Sequence, residues 1–218
     1  LGRLNLPALP RGSAADCKRG SKVILAGHGG RGHALNAQVI AKREFAGYWE
    51  YVLDEALFTA PAHPHWGGAA LVDGSGRLIG IGSLLVEERV GDKEVQGNMI
   101  VPIDLIEPIL NDLLTYGRVN RPARPWLGLY AHEIKNHVAI AGLAPGGPAE
   151  KAKLEVGDVV LAVDDAPVTA LADMFRRIWR IGDAGVEIPL TVAREGGIVQ
   201  LRVKSADRAD FLKKPKLH

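Results

Sequence analysis

The sequence predicts a mainly β protein: an all-β first domain, a connecting helix and a second, smaller α+β domain. Three observations indicate this order. Short apolar runs separated by Gly, Asn, Asp and Pro dominate residues 21–103, apolar residues recur at helical spacing from residue 103 onward, and both patterns occur after residue 126. With 218 residues, the chain is long enough for two domains that each bury a core.

The composition excludes several classes of protein. A hydrophobic share of 47% and a charged share of 24% are those of a soluble globular protein. A formal net charge of +2 gives no reason to expect binding to nucleic acid or to a membrane surface. No apolar run approaches the roughly 20 residues of a membrane-spanning helix, and the single cysteine, Cys17, cannot form an intrachain disulfide. We therefore predict no membrane span and no nucleic-acid partner.

The first domain is predicted from five apolar runs that are typical of strands. They lie at residues 22–26, 51–53, 69–72, 78–81 and 83–86. Residues 73–76, Asp-Gly-Ser-Gly, are typical of a hairpin turn between two of these runs, because glycine adopts positive φ at little cost.

Between the two domains we predict an amphipathic helix and an extended linker. Apolar residues at 103, 105, 106, 109, 110, 113 and 114 share one helical face. Asp104 is the predicted N-cap, Glu107 would complete a capping box, and Gly117 is the predicted end. Two prolines at 122 and 125 then disfavour both helix and sheet, which makes residues 121–125 the domain boundary.

The second domain shows both periods. Strands are predicted at 138–141, 159–163, 188–192 and 199–203, and a helix at 170–181 with one apolar face formed by Leu171, Met174, Phe175 and Ile178. The predicted organisation is a barrel domain at 1–103, a connecting helix and linker at 104–125, the second domain at 126–206 and a basic tail at 207–218.

Three motifs in the second domain resemble the PDZ domain fused to HtrA-type bacterial proteases. Residues 144–154 (Ala-Pro-Gly-Gly-Pro-Ala-Glu-Lys-Ala-Lys-Leu) and 155–160 (Glu-Val-Gly-Asp-Val-Val) are similar to the family's "P-x-S-P-A-x-x-A-G-L" and "x-x-G-D-x-I". The third motif lies where the family has its carboxylate-binding loop: Trp126, Leu127, Gly128 and Leu129.

The resemblance implies that an extended peptide C-terminus adds a strand beside this loop, whose backbone N–H groups hold the terminal carboxylate. Met174 and Ile178 would line the side-chain pocket. The alternative, that these apolar residues simply belong to the core, stays open.

The first domain resembles the second β-barrel of the trypsin-like HtrA/Deg serine proteases. Residues 97–106 are similar to the family's "G-x-x-F-A-I-P-x-D", and residues 18–28 to its "x-x-G-x-x-V-x-A-x-G-N" strand. Residues 63–72, His-Pro-His-Trp-Gly-Gly-Ala-Ala-Leu-Val, occupy the place of the segment around the nucleophile, and Gly67 and Gly68 match its two glycines.

Within that segment the residues needed for catalysis are replaced. Trp66 stands at the serine position, and an indole has no hydroxyl that could attack a carbonyl. Pro64 stands where the family has a glycine whose N–H serves the oxyanion hole, and proline has no N–H. His65 replaces an asparagine. The family's catalytic His and Asp belong to a first barrel, which should precede Leu1. We therefore predict no catalytic residues in this chain.

The resemblance thus implies an HtrA-like pseudoprotease that binds peptide or unfolded-protein C-termini through its PDZ groove, as a scaffold or regulator in protein quality control. The alternative is an active HtrA-type endopeptidase with a rearranged site. A homo-oligomer, a trimer by family habit, and a periplasmic or otherwise extracytoplasmic location are further expectations from the resemblance. No cofactor is predicted.

Other signals compete with this interpretation. Residues 27–32 satisfy G-x-G-x-x-G after a strand and before a possible helix at 33–42, but no βαβ alternation follows. His28, His33, His63 and His65 make a metal site conceivable, although hydrogen-bonded or solvated histidines are the simpler expectation. Ser75, Ser83 and Cys17 have no base nearby in sequence, so we expect no substitute nucleophile among them.

Overall fold

The computed structural model describes residues 6–212, which form two compact units. The first unit contains residues 6–45 and 53–120, and the second contains residues 46–52 and 121–212. Residues 46–52 lie inside the range 1–103 that was predicted as barrel domain, and residues 104–120 group with the first unit. The short segment 46–52 therefore contributes to the second unit although it connects two strands of the first.

The first unit is a closed six-stranded antiparallel barrel with the order β1-β2-β3-β6-β5-β4, which confirms the mainly β fold class. Its strands are β1 (Lys22–Ala26), β2 (Ala34–Gly47), β3 (Tyr51–Ala60), β4 (Ala70–Val72), β5 (Leu78–Val90) and β6 (Lys93–Pro102). The buried residues that fill its core include Val23, Leu25, Val39, Leu57, Leu71, Ile79 and Ile100.

Two strands of the barrel differ from the sequence-based prediction. The suggested helix at 33–42 is wrong, because this segment forms β2, which pairs with β1 in antiparallel register. The two runs at 78–81 and 83–86 form one strand, β5, which is interrupted only by a register shift between Gly82 and Leu84. Residues rich in Ala, Gln and Lys favour helix locally, but closing the barrel requires a strand here.

The predicted hairpin turn at 73–76 is confirmed. The Asp73 N–H donates to the carbonyl of Arg77 at 2.9 Å, and Gly76 has a φ of 78°. The Asp73 carboxylate accepts hydrogen bonds from the N–H groups of Ser75 and Arg77, both at 2.9 Å. This carboxylate therefore fixes the turn between β4 and β5.

The connecting helix starts differently from the prediction. A 3-10 helix, Ile103–Ile109, precedes α1 (Leu110–Tyr116), since Pro108 lacks the N–H that a continuous α-helix needs. Asp104 is not the N-cap: its carboxylate accepts hydrogen bonds from the Ser13 hydroxyl at 2.5 Å and the Ala14 N–H at 2.8 Å. Gly117 ends the helix as predicted, with a φ of 67°.

The second unit consists of a six-stranded sheet and two α-helices. Five strands follow the order β12-β11-β9-β8-β7, and the short β10 pairs with β9. Its elements are β7 (Leu129–Ile134), β8 (His137–Leu143), α2 (Pro148–Lys151), β9 (Val159–Val163), β10 (Ala166–Pro167), α3 (Leu171–Arg180), β11 (Glu187–Arg194) and β12 (Gly197–Lys204). The predicted apolar face of α3 is confirmed, since Leu171, Met174, Phe175 and Ile178 are all buried. Ala46 and Val52 also pack against this core.

The tail of the chain is partly folded. Residues 207–212, inside the predicted basic tail 207–218, include a 3-10 helix, Arg208–Phe211. The ring of Phe211 lies 4.7 Å from that of Trp126, centroid to centroid. The lysines at 213, 214 and 216 lie outside the described residues. Across residues 6–212, no helix has the length and apolar character to cross a membrane.

One buried ion pair supports the turn that leads into β9. The Asp158 side chain is fully buried, and its carboxylate pairs with the Arg194 guanidinium through two hydrogen bonds of 2.7 Å. It also accepts the Glu155 N–H at 2.8 Å. The Gly-Asp of the sequence motif therefore joins the turn to β11.

We expect the substitution Asp158→Asn to lower the free energy of unfolding of the second unit by about 2–3 kcal/mol. Breaking a buried pair costs about 3–5 kcal/mol, and the partial exposure of Arg194 reduces this cost. Urea denaturation measures the effect. The matched control is Asp173→Asn, which removes a half-buried Asp–Arg pair with Arg177 and should cost less, about 1 kcal/mol.

The same pair sets an acid dependence. Burial alone would raise the pKa of Asp158, but the hydrogen bonds from Arg194 and the Glu155 N–H outweigh it, so the pKa lies below its usual 3.8. Because the folded state holds the proton less tightly, this contribution is present above about pH 4 and is lost on acidification. An equal acid-induced loss in Asp158→Asn and the unmodified chain would contradict this assignment.

Candidate functional site: the β3–β4 loop and the loop at the start of β7

The loop between β3 and β4 carries the residues that the sequence resemblance places at a protease nucleophile segment. Pro64, His65 and Gly67 are exposed, and Trp66 is half-buried. The carbonyl of Trp66 accepts the Ala69 N–H at 3.0 Å. The indole of Trp66 has no hydroxyl and Pro64 has no N–H, so neither residue supplies a nucleophile or an oxyanion donor. Their placement at catalytic positions stays a prediction.

The backbone of this loop packs directly on β5. The Gly68 N–H donates to the carbonyl of Gly82 at 2.9 Å, and the Gly82 N–H donates to the carbonyl of Ala69 at 2.7 Å. A Cβ at Gly82 would collide with the carbonyl oxygen of Trp66. Only glycine at position 82 allows this close approach.

His63 is a structural histidine rather than a catalytic base. Its side chain is 2% exposed. Nδ1 accepts the N–H of His65 at 3.0 Å, so Nε2 carries the proton and donates to the carbonyl of His33 at 2.5 Å. Its own N–H donates to the Asn98 side chain at 2.6 Å. Both ring nitrogens are thus bonded to backbone groups, which gives this imidazole a structural role.

The competing signals of the sequence lead to no site in the described part of the chain. Residues 27–32 form a loop and a short 3-10 helix between antiparallel β1 and β2, so the dinucleotide-binding alternative is wrong. Residues 6–212 contain no group of three His, Cys, Asp or Glu side chains that could hold a metal ion. Cys17 is buried, and burial raises the pKa of its thiol, which makes it a poor nucleophile.

The loop at the start of β7 holds a carboxylate, and that carboxylate belongs to the protein itself. The Gly128 N–H donates to Oε1 of Glu50 at 2.7 Å, and the Leu129 N–H donates to the same oxygen at 3.1 Å. The Leu127 N–H lies 3.2 and 3.1 Å from the two carboxylate oxygens. Three consecutive amides therefore converge on one carboxylate.

Gly128 makes this convergence sterically feasible. Its φ of 74° lies in the left-handed region, which turns the neighbouring N–H groups toward one point. A Cβ there would lie 3.0 Å from the Trp126 ring and 3.2 Å from Cβ of Ala144. The sequence predicted a carboxylate-binding loop at Trp126, Leu127, Gly128 and Leu129, and its role toward peptides stays a prediction.

The segment that carries Glu50 also pairs with the edge of the sheet. β7 is the last strand of the sheet order, and its Ala131 N–H donates to the carbonyl of Tyr48 at 2.9 Å. The Tyr48 ring lies 5.9 Å from the Tyr130 ring and 5.6 Å from the His132 ring, centroid to centroid. Residues 48–50 therefore use both a carboxylate contact and a strand-edge hydrogen bond.

The two other residues that were predicted to line the groove, Met174 and Ile178, lie in the core of the second unit. Both side chains have no exposed surface, so their role in lining a peptide pocket stays a prediction. Beside the carboxylate-binding loop lies a cavity of about 260 Å³, lined among others by Trp49, Trp126, Gly128, Leu129, Tyr130, Arg208 and Phe211.

Sequence reasoning considered Glu50 only as a ribose ligand in the dinucleotide-binding alternative and missed its contact with this loop. The residue is 9% exposed and adopts a φ of 61°, which is uncommon for a side chain without Asn or Asp chemistry. The available signal was the turn itself, Gly-Tyr-Trp-Glu at 47–50, which lacks the Asn-Gly or Asp-Gly that tight hairpins favour. Its partners lie 77 to 79 residues away, and no local pattern specifies them.

Comparisons with known proteins agree with this architecture. Residues 125–205 match the family model of the PDZ domain. The chain is 27% identical to a probable periplasmic serine endoprotease, DegP-like, of Pseudomonas fluorescens, over 88% of this chain and 42% of that protein. It is 24% identical to the serine endoprotease DegS of Haemophilus influenzae, over 91% of this chain and 59% of that protein. The chain thus spans about half the length of these relatives.

Solved structures show the same fold. The HtrA-type protease AlgW in complex with a decapeptide superposes with a TM-score of 0.56 at 23% identity, covering 99% of this chain and 67% of that one. AlgW with a tripeptide gives a TM-score of 0.54 at 22% identity, covering 99% of this chain and 73% of that one.

The geometry predicts an unusual titration of Glu50. Burial raises its pKa from 4.5 to about 7, against the opposing effects of the three backbone N–H groups and the nearby positive charge of Arg208. NMR spectroscopy of the side-chain carboxyl carbon should give a midpoint near pH 7. Since the folded state holds this proton more tightly than the unfolded chain, this contribution to stability is present below about pH 4.5 and falls as pH rises to 7.

The Gly128→Ala substitution provides the control for this titration. By displacing the amides it should expose Glu50 and return its pKa toward 4.5. A midpoint near 4.5 in the unmodified chain would show that the carboxylate is not seated in the loop in solution.

Proposed function

Because this chain is related to the HtrA-type serine proteases and carries a PDZ domain, we propose that it is a non-proteolytic relative that binds the C-termini of peptides or unfolded proteins. One observation carries the binding part of the proposal: the amides of Leu127, Gly128 and Leu129 already hold a carboxylate at 2.7 to 3.2 Å. A peptide C-terminus offers the same group at the end of an extended strand, and β7 offers an edge for that strand.

The absence of proteolysis rests on two substitutions in one loop. Trp66 has no hydroxyl, so it cannot form an acyl-enzyme. Pro64 has no N–H, and the loss of a single oxyanion donor costs on the order of 10² to 10³ in rate. His63, the buried imidazole nearest in sequence, uses both ring nitrogens to hold the loop. Restoring one residue would therefore leave the other defect in place.

The second candidate is an active endopeptidase, and the names of the relatives favour it, since they are serine endoproteases. The two candidates differ in one measurable step. Hydrolysis of a protein substrate together with labelling by a fluorophosphonate probe would support the endopeptidase and overturn the non-proteolytic proposal.

Location and assembly belong to the proposal as well. Relatives named periplasmic endoproteases support an extracytoplasmic location for this chain. Assembly into a trimer is an expectation from the family resemblance, and light scattering of the full chain measures it.

We expect a fluorescein-labelled pool of decapeptides with free C-termini to bind the full chain more tightly than the same pool with amidated C-termini. Leaving buried N–H groups without a carboxylate costs about 1–3 kcal/mol, or roughly 5- to 150-fold in affinity. Fluorescence polarisation measures both pools. Gly128→Ala should remove the difference, because its Cβ displaces the loop. Equal binding of free and amidated pools would contradict recognition of C-termini.

We also expect the substitution Trp66→Ser to give no measurable peptide hydrolysis. The new hydroxyl has no oxyanion donor at position 64 and no base within the loop. The variant is assayed with a casein substrate and a fluorophosphonate probe. A double variant, Trp66→Ser with Pro64→Gly, is the control that restores the backbone donor. Substantial hydrolysis by the single variant would refute the role assigned to Pro64.

A further inference from the structure

We propose that residues 46–52 are a built-in ligand of the PDZ groove, which competes with external C-termini for the same amides. This inference rests on the proposed function, since it concerns the regulation of that site. The segment belongs to the second unit and is covalently continuous with β2 and β3.

The first argument is chemical mimicry. Glu50 presents a carboxylate to all three amides of the loop at 2.7 to 3.2 Å, so no N–H of the loop is left for a second carboxylate. Each amide has one hydrogen to donate. An external C-terminus can therefore bind in this way only after Glu50 leaves.

The second argument is the position of the strand-edge contact. Ala131 lies two residues beyond Leu129 along β7, and its N–H donates to Tyr48, two residues before Glu50. A bound peptide strand would use the same N–H of the edge strand. The segment thus occupies both the carboxylate position and the strand position.

The third argument is the backbone of Glu50. It has a φ of 61°, in the left-handed region that glycine, asparagine and aspartate favour in turns. Such a conformation in another residue costs on the order of 1 kcal/mol and persists only where the surroundings hold it. The three hydrogen bonds to the Glu50 carboxylate are available to offset that cost.

The apolar residues on both sides reinforce the docking. Ala46 and Val52 pack against the core of the second unit, and Trp49 lines the cavity beside the carboxylate-binding loop. The segment is therefore held to the second unit by apolar packing as well as by hydrogen bonds. Because it is tethered, its effective concentration is set by chain connectivity and exceeds that of most free peptides.

The test compares the full chain with Glu50→Gly. Glycine suits the left-handed turn, so the substitution removes the carboxylate without straining the hairpin. The probe is the fluorescein-labelled decapeptide pool with free C-termini. If residues 46–52 occupy the groove in 90 to 99% of the molecules, the affinity of the peptide pool should rise by about 10- to 100-fold in the variant.

The matched control is Glu195→Gly. Glu195 is also a turn glutamate of the second unit with positive φ, at 45°, but it is exposed and lies between β11 and β12, at the far edge of the sheet order from β7. The Glu195→Gly substitution makes the same change in side chain and chain flexibility without touching the groove. The affinity of this variant for the peptide pool should equal that of the unmodified chain. A combined Glu50→Gly and Gly128→Ala variant should lose the gain.

Hydrogen exchange of the amides of Leu127, Gly128 and Leu129 gives a readout without any peptide. We expect protection in the unmodified chain and its loss in Glu50→Gly. Unprotected amides in the unmodified chain overturn the built-in ligand whatever the peptides do. A different result separates the two proposals. If the peptide pool binds the unmodified chain and Glu50→Gly equally tightly, and free C-termini are still preferred over amidated ones, competition by residues 46–52 is overturned and the proposed function stands.

If the hydrogen-exchange protection of the loop amides is lost in Glu50→Gly but neither protein prefers free C-termini, the proposed function is overturned, and competition is overturned with it. Protection lost together with a gain in affinity that is confined to free C-termini supports both.

Discussion

The contact between the Glu50 carboxylate and the amides of Leu127, Gly128 and Leu129 is the interaction on which the arrangement of the second unit depends. It brings seven residues from the connection between two barrel strands into a different compact unit. A buried carboxylate without such donors would cost several kcal/mol. The glycine turn that points the amides inward is thus what makes a glutamate tolerable there.

Local chemistry specifies much of the fold, and the sequence-based predictions succeed where it does. The Asp-Gly-Ser-Gly turn, the end of α1 at Gly117 and the buried face of α3 all follow from backbone preferences and helical spacing. The predictions fail where long-range pairing decides: β2 contains helix-favouring residues but closes the barrel, and Asp104 bonds Ser13 and Ala14, 90 residues away, instead of capping a helix.

The candidate site also has one part that local chemistry predicts and one part that only long-range pairing decides. The replacements at the predicted nucleophile segment could be identified from residue types alone, because a missing hydroxyl and a missing N–H are properties of Trp66 and Pro64 in any conformation. The occupant of the groove could not, since any exposed glutamate offers a carboxylate and only the three-dimensional fold selects Glu50. The structure also gives His63 a supporting role: its ring joins the backbone of residues 33 and 65 and so holds the loop in a fixed shape.

The edge position of β7 has a consequence for solubility. An edge strand with free N–H and C=O groups is a template for pairing with other chains, and proteins usually cover or charge such edges. Through Tyr48, the hairpin caps the Ala131 N–H of this strand. If residues 46–52 leave the groove as proposed, the edge of β7 exposes unpaired backbone groups. A bound peptide that completes the sheet would then also keep the chain from pairing with its own copies.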